Sequence, residues 1–134
     1  MRRSSTYSSS TYSATDVAAA LPLTPAVFHI LLALADQDRH GYAIILDIAE
    51  RTEQALRLGT GTLYTAIARL LEQRLIQESD ERPAEDEDDE RRRYYRLTPL
   101  GREVANAEAR RLAALVRMAR ARGITGVMAE GRAR

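Results

Sequence analysis

Two stretches decide how the chain folds: GTLYTAIARLLEQRLI at 61–76 and RRRYYRLTPLGRE at 91–103. In the first, Leu63, Ile67, Leu70 and Leu71 fall at i, i+4, i+7 and i+8, the spacing of one buried helical face. Thr62, Thr65, Ala66, Arg69 and Gln73 take the opposite face, and no acid interrupts it until Glu72 at its edge. Thr60 or Thr62 can cap the start. Leu75-Ile76-Gln77 then reads as a strand, with Arg91–Leu97 as its hairpin partner. In that partner Arg93, Tyr95 and Leu97 alternate to one side, and Arg92, Tyr94 and Arg96 to the other. Thr98-Pro99 starts a further helix: the hydroxyl accepts from an orphan amide, and proline fits the first helical position with no amide to lose.

Working outward, Thr24-Pro25 repeats that start signal, and Val27, Ile30, Leu31 and Leu34 recur as a second buried stripe. Asp36-Gln37-Asp38-Arg39 breaks it. Another helix follows His40-Gly41, with Tyr42, Ile45, Ile48 and Ala49 on one side. The segment ALRLGTGT at 55–62 reads as a short strand or tight connector. At the other end a long helix runs to about Arg122, where Gly123 stops it. Its residues Ala105, Ala109, Leu112, Val116 and Ala119 form an apolar stripe flanked by arginines.

The order helix, helix, short strand, helix, hairpin, long helix predicts a mainly α fold with a small β-hairpin wing. This is a winged helix-turn-helix plus a long C-terminal helix, and its third helix can enter a DNA major groove. The expected divisions are a Ser/Thr-rich tail over 1–22, a winged-helix domain over 23–98, a dimerisation helix over 99–122 and a frayed end over 123–134. The tail is read as disordered: nine of its first 15 residues are Ser or Thr, too polar to offset the entropy of ordering.

Charge is informative only by position. The 134 residues sum to +1, with 20 arginines and no lysine. Residues 78–90 hold nine acids and one arginine, a charge of −8, so the rest of the chain carries +9. The run EDEDDE at 85–90 cannot lie against phosphates, and is expected to be a solvated wing tip that leans away from a duplex. Its carboxylates lack the spacing and central glycine of a calcium loop, so no metal is assigned to it.

Absent residue types exclude several chemistries. No cysteine means no disulfide, thiolate zinc site or cysteine nucleophile. No lysine excludes a Schiff base and a Walker phosphate loop. His29 and His40, eleven positions apart, lack a zinc pattern, and His40 is expected to hydrogen-bond locally at the start of its helix. No Ser/His/Asp arrangement stands out. The expectation is a non-enzyme without cofactor, soluble and cytoplasmic, with no apolar stretch long enough to span a bilayer.

With these residues in view, the chain resembles the PadR family of bacterial winged-helix transcriptional regulators. Gly61-Thr62-Leu63-Tyr64, the Arg69-Leu70 pair and the run Tyr95-x-Leu97-Thr98-x-x-Gly101 carry the resemblance together, with an opening Leu-rich helix and the element His40-Gly41-Tyr42. It covers roughly residues 23–122. It implies a homodimer built on the C-terminal helix, through Ala105, Ala109, Leu112, Val116 and Ala119, and a repressor that binds an inverted-repeat operator on double-stranded DNA.

On the third helix Thr62, Tyr64, Thr65 and Arg69 are the candidate DNA contacts. Arg69 suits bidentate pairing with guanine, and the other three suit phosphates or thymine methyls. On the wing, Arg92, Arg93 and Arg96 are the candidate phosphate contacts, with Arg92 and Arg96 expected to face outward. Their other role would be to neutralise the acids at 85–90.

Four positions depart from the family pattern. Gly59-Thr60 stands where Ser-Pro is usual, and Thr65 where a basic residue or proline is common. Arg74 replaces a glycine before Leu75-Ile76, which is costly if that residue must be left-handed. The tryptophans that hold flat aromatic effectors in some members are missing, so a small-molecule effector is implied in class only. The acidic wing and the neutral Thr65 leave open an alternative, a winged-helix module that binds protein rather than DNA.

Overall fold

A computed structural model describes residues 13–80 and 92–126. The acidic run 85–90, Arg91, most of the Ser/Thr tail and the last eight residues lie outside the described residues. Eight elements follow in order: α1 (Ala14–Ala19), α2 (Pro25–Ala33), β1 (Arg39–His40), α3 (Gly41–Arg51), α4 (Thr60–Glu72), β2 (Ile76–Ser79), β3 (Tyr94–Leu97) and α5 (Pro99–Ala121).

The three central helices bury the stripes that carry them. Ile30 and Leu31 of α2, Ile44 and Ile48 of α3, and Leu63, Ile67 and Leu70 of α4 meet in one core, closed by Leu75, Ile76, Tyr95 and Val104. Each such side chain contributes about 1.5–3 kcal/mol on leaving water. On α3 the buried stripe is rotated from the expected one: Ile44 is fully buried, while Tyr42 is 58% exposed. The tyrosine sits in the first turn of α3.

The sheet has three strands rather than two, in the order β1-β3-β2 with antiparallel pairing throughout. Residues 55–62 form no strand; the short strand is Arg39–His40, before α3 instead of after it. Two residues are too few to show alternation, so sequence pattern passes over β1. Its pairs Arg39↔Tyr95 and His40↔Tyr94 make β3 the central strand. Both tyrosines are therefore buried, Tyr95 in the main core and Tyr94 edge-on against His40 with ring centroids 5.2 Å apart.

Order also begins earlier than Leu23. Within the expected tail, Ser13 and Asp16 form a reciprocal capping box that starts α1. Val17, Ala20 and Leu21 pack against the core, and that burial offsets the cost of ordering so polar a segment. The backbone N–H of Leu23 donates to Glu108 of α5 at 3.3 Å. Glu108 is buried, and its carboxylate takes two further bonds from Arg111 at 2.9 and 2.7 Å. Pairing with Arg111 and the Leu23 amide holds this carboxyl below the usual range, against the opposing effect of burial.

The boundary between α4 and the wing is the tightest junction. Arg74 does adopt the left-handed conformation, φ 64°. It occupies the position after the C-cap of a Schellman motif, with Arg74 N–H on the Leu71 carbonyl and Leu75 N–H on that of Leu70. Thr98 caps α5 by accepting from Gly101 N–H at 2.9 Å, and donates its hydroxyl to the Arg74 carbonyl at 2.7 Å. A Cβ built on Gly101 would lie 2.0 Å from the Leu75 carbonyl oxygen, so α5 can pass here only on a glycine. At the far end α5 stops as expected, at Arg122 and a left-handed Gly123, φ 87°.

Candidate nucleic-acid interface

Helix α4 starts earlier than either expected cap, Thr60 or Thr62, allows. Gly59 is the N-cap and provides no side-chain bond, with Thr60 already helical. Thr62, Thr65 and Arg69 are all exposed on the side away from Leu63, Ile67 and Leu70. Arg69 makes no ion pair or side-chain hydrogen bond among the described residues. Cβ atoms at Gly59 and Gly61 would meet nothing within 4 Å, so the first turn stands in open space.

Tyr64 has a different role from its helix neighbours. Its ring lies over Gly41, where a Cβ would come 2.1 Å from the phenol oxygen. Gly41 is buried at the start of α3, so the missing side chain is what lets Tyr64 close the angle between α3 and α4. Two motifs singled out separately in the sequence, His40-Gly41-Tyr42 and Gly61–Tyr64, are thus one contact. Tyr64 remains 45% exposed, so its outer edge still faces solvent beside Thr65.

The wing arginines are engaged within the fold. Arg96 donates to Asp38 at 3.0 and 3.3 Å, and Ser79 donates its hydroxyl to the same carboxylate oxygen. Arg92 lies 2.9 Å from Nε2 of His40. His40 uses Nδ1 to accept from Ala43 N–H at 3.1 Å, the local cap expected of it. Arg93 pairs with Glu78 at 2.9 Å, the two side chains being 68% and 48% exposed.

The expectation of Arg92 and Arg96 as the outward-facing pair therefore needs correction. On that face the side chains of His40 and Asp38 engage Arg92 and Arg96, and among the described wing arginines Arg93 is the most exposed. Asp38, His40, Glu78 and Ser79 were not expected as partners. Asp38 lies 58 residues from Arg96, His40 52 from Arg92 and Glu78 15 from Arg93, with Ser79 joining through Asp38, and only the β1–β3–β2 order brings them together. The run 85–90 cannot be placed against any of them, because it lies outside the described residues.

On α5 the first half buries Gly101, Val104 and Glu108 against its own chain. The second half leaves large apolar groups in solvent: Leu112 at 37%, Leu115 at 47%, Val116 at 48% and Met118 at 60%. Ala105 and Ala119 are half-buried and Ala109 is exposed. Leu115 and Met118 widen the stripe expected from sequence. Among the described residues no helix is long and apolar enough to cross a membrane, and no cluster of His, Asp and Glu could hold a metal.

Three central helices, a three-stranded wing with one exposed cationic helix face, and a long terminal helix define a winged helix-turn-helix protein. Residues 30–107 match the family described as Transcriptional regulator PadR-like family. The chain belongs to that PadR-like family. A solved transcriptional regulator from Clostridium thermocellum is 27% identical with a TM-score of 0.58, over 69% of this chain and 86% of that one.

A PadR family regulator from Eggerthella lenta shares the fold at 23% identity and a TM-score of 0.56, over 69% of this chain and 76% of its own. Among curated sequences, a 37.1 kDa protein of a Streptomyces fradiae transposon is 43% identical over 86 residues, 64% of this chain and 22% of that protein. A Lysinibacillus sphaericus protein is 33% identical over 73 residues, 54% of this chain and 64% of its own length. The chain thus spans less than two thirds of either curated relative.

Proposed function

We propose that the protein is a sequence-specific DNA-binding regulator that acts as a homodimer in the cytoplasm, represses by occupying an inverted-repeat operator and catalyses nothing. The observation that carries this is the outer face of α4, where Arg69 is exposed and unpaired among the described residues beside Thr62 and Thr65. A guanidinium left free on such a face suits the O6 and N7 of guanine, with about 1–3 kcal/mol of discrimination. Tyr64 adds its exposed edge to a phosphate or thymine methyl.

Arg93 is the first of the wing residues for phosphate contact. An exposed ion pair such as Arg93–Glu78 is worth about 0–1 kcal/mol, so a phosphate can replace the carboxylate at small cost. Arg92 and Arg96 contribute mainly by holding β3 in place. The exposed apolar half of α5, extending Ala105, Ala109, Leu112, Val116 and Ala119 with Leu115 and Met118, supports dimerisation. Two such helices related by a twofold axis would place two copies of α4 on half-sites about one helical turn, or a multiple of it, apart.

Selection of bound fragments from a random DNA library tests the reading. An enriched inverted repeat is expected, with affinity falling by about 0.9 in log K per log unit of salt for each phosphate contacted. Arg69→Ala should relax the preference at one position of each half-site, whereas Arg93→Ala should weaken all sequences alike. Recovery of no DNA, with retention of a protein partner at high salt, would instead favour the protein-binding alternative.

A further inference from the structure

Beside the outer face of α4 runs a groove of about 720 Å³, whose opposite wall is the segment 20–27 leading into α2. Its apolar surface comes from Leu23, Val27 and Ala66, with buried Leu70 as its floor, and its one charged lining group is Arg69. The opposite wall is fastened from behind, since Leu23 N–H is held by the buried, Arg111-paired Glu108. Such a volume lies in the range of small-molecule sites, which are largely preformed, mostly apolar and marked by a few polar groups. Nothing in the DNA-reading role accounts for an apolar hollow next to a lone cation.

We propose that the groove binds a small aliphatic carboxylate, with its anionic end on Arg69 and its chain along Leu23, Val27 and Ala66. An anion is specified because the lining has a cation and no carboxylate to repel it. An aliphatic chain is specified because the lining contains no aromatic ring to stack a flat ligand. Occupancy and DNA binding then exclude one another, because both use Arg69 and the same side of α4. That competition rests on the reading of α4 as the DNA-contacting helix; the groove itself does not. The regulator would release its operator by direct displacement, with no change of conformation required at the dimer helix.

Octanoate and its neutral counterpart octanamide are suitable probes, titrated into isotopically labelled full-length protein and followed by amide chemical shifts. Octanoate should shift amides within 20–27 and 61–73, and bind roughly three- to tenfold more tightly than octanamide. Arg69→Gln should abolish that difference. Ala26→Leu, which fills the groove from the α2 side, should lose both ligands and still bind DNA like the parent. In a second arm, octanoate should displace the protein from its selected DNA fragment at concentrations that track groove occupancy.

Equal binding of the two probes, or shifts centred on Leu115 and Met118 of α5, would overturn the site. DNA that stays bound while the groove is saturated would overturn the competition. A parent protein that binds no DNA would remove the proposed function together with the competition, and the shift titration would then judge the groove alone.

Discussion

The wing and helix α4 both present arginine, yet they use it in opposite ways. On the wing the guanidinium groups of Arg93 and Arg96 are paired with Glu78 and Asp38, and Arg92 lies against His40. On α4, Arg69 is left without a partner among the described residues. A cation that is already paired must break that contact before it can serve a phosphate, whereas a solvated one gives up only water. The contrast teaches that density of positive charge in a sequence is a poor guide to which cations a fold leaves available. The wing is richer in arginine, and α4 has the more available one.

Breaking the scaffold side of this contrast should have the largest effect. Gly101→Ala drives a Cβ into the Leu75 carbonyl, and is expected to cost about 3 kcal/mol or more in denaturant unfolding. Gly61→Ala on the free side meets nothing, and should leave stability within about 0.5–1 kcal/mol of the parent, on the favourable side. Equal losses for the two would mean that the wing junction is not the rigid part.

Removing an anchor should come next. Asp38→Ala strips Arg96 and Ser79 of their shared carboxylate, and a loss of about 1–2 kcal/mol is expected for this half-buried pair. Arg69→Ala should change thermal stability by less than about 0.5 kcal/mol, so that its effect appears in DNA selection alone. Arg74→Gly relieves a left-handed arginine and should stabilise by about 1 kcal/mol, seen as a higher denaturation midpoint.

The smallest effect concerns pH. Glu108 is held below its usual range in the folded protein, so its contribution to stability is present above the ordinary carboxylate range and is lost as pH falls through the lower folded value. Glu108→Gln should flatten stability against pH on the acid side. A slope that persists unchanged would assign acid sensitivity to another group.

Much of this was legible before any coordinates. The stripes of α2 and α4 follow from helical spacing, and the two Thr-Pro starts are caps in the structure, with Thr24 and Thr98 accepting from Val27 and Gly101. The left-handed conformation of Arg74 is legible too, because the conformation after a helix C-cap is a local matter. Other features were not legible. Strand β1 is two residues long, and α1 is a six-residue helix whose one core contact is the partly buried Val17. Tyr64 was read as a DNA contact from its place on the helix; only its approach to Gly41 shows that it also packs α3 against α4.

Sequence alone determined the four longer helices, the buried faces of α2 and α4, the caps at Thr24 and Thr98 and the family resemblance, because each depends on residues within a few positions of one another. Tertiary structure decided which arginines are paired, which tyrosines are buried and where a groove opens. Those depend on contacts across tens of residues, such as Arg96 with Asp38 and Leu23 with Glu108, which no local spacing encodes.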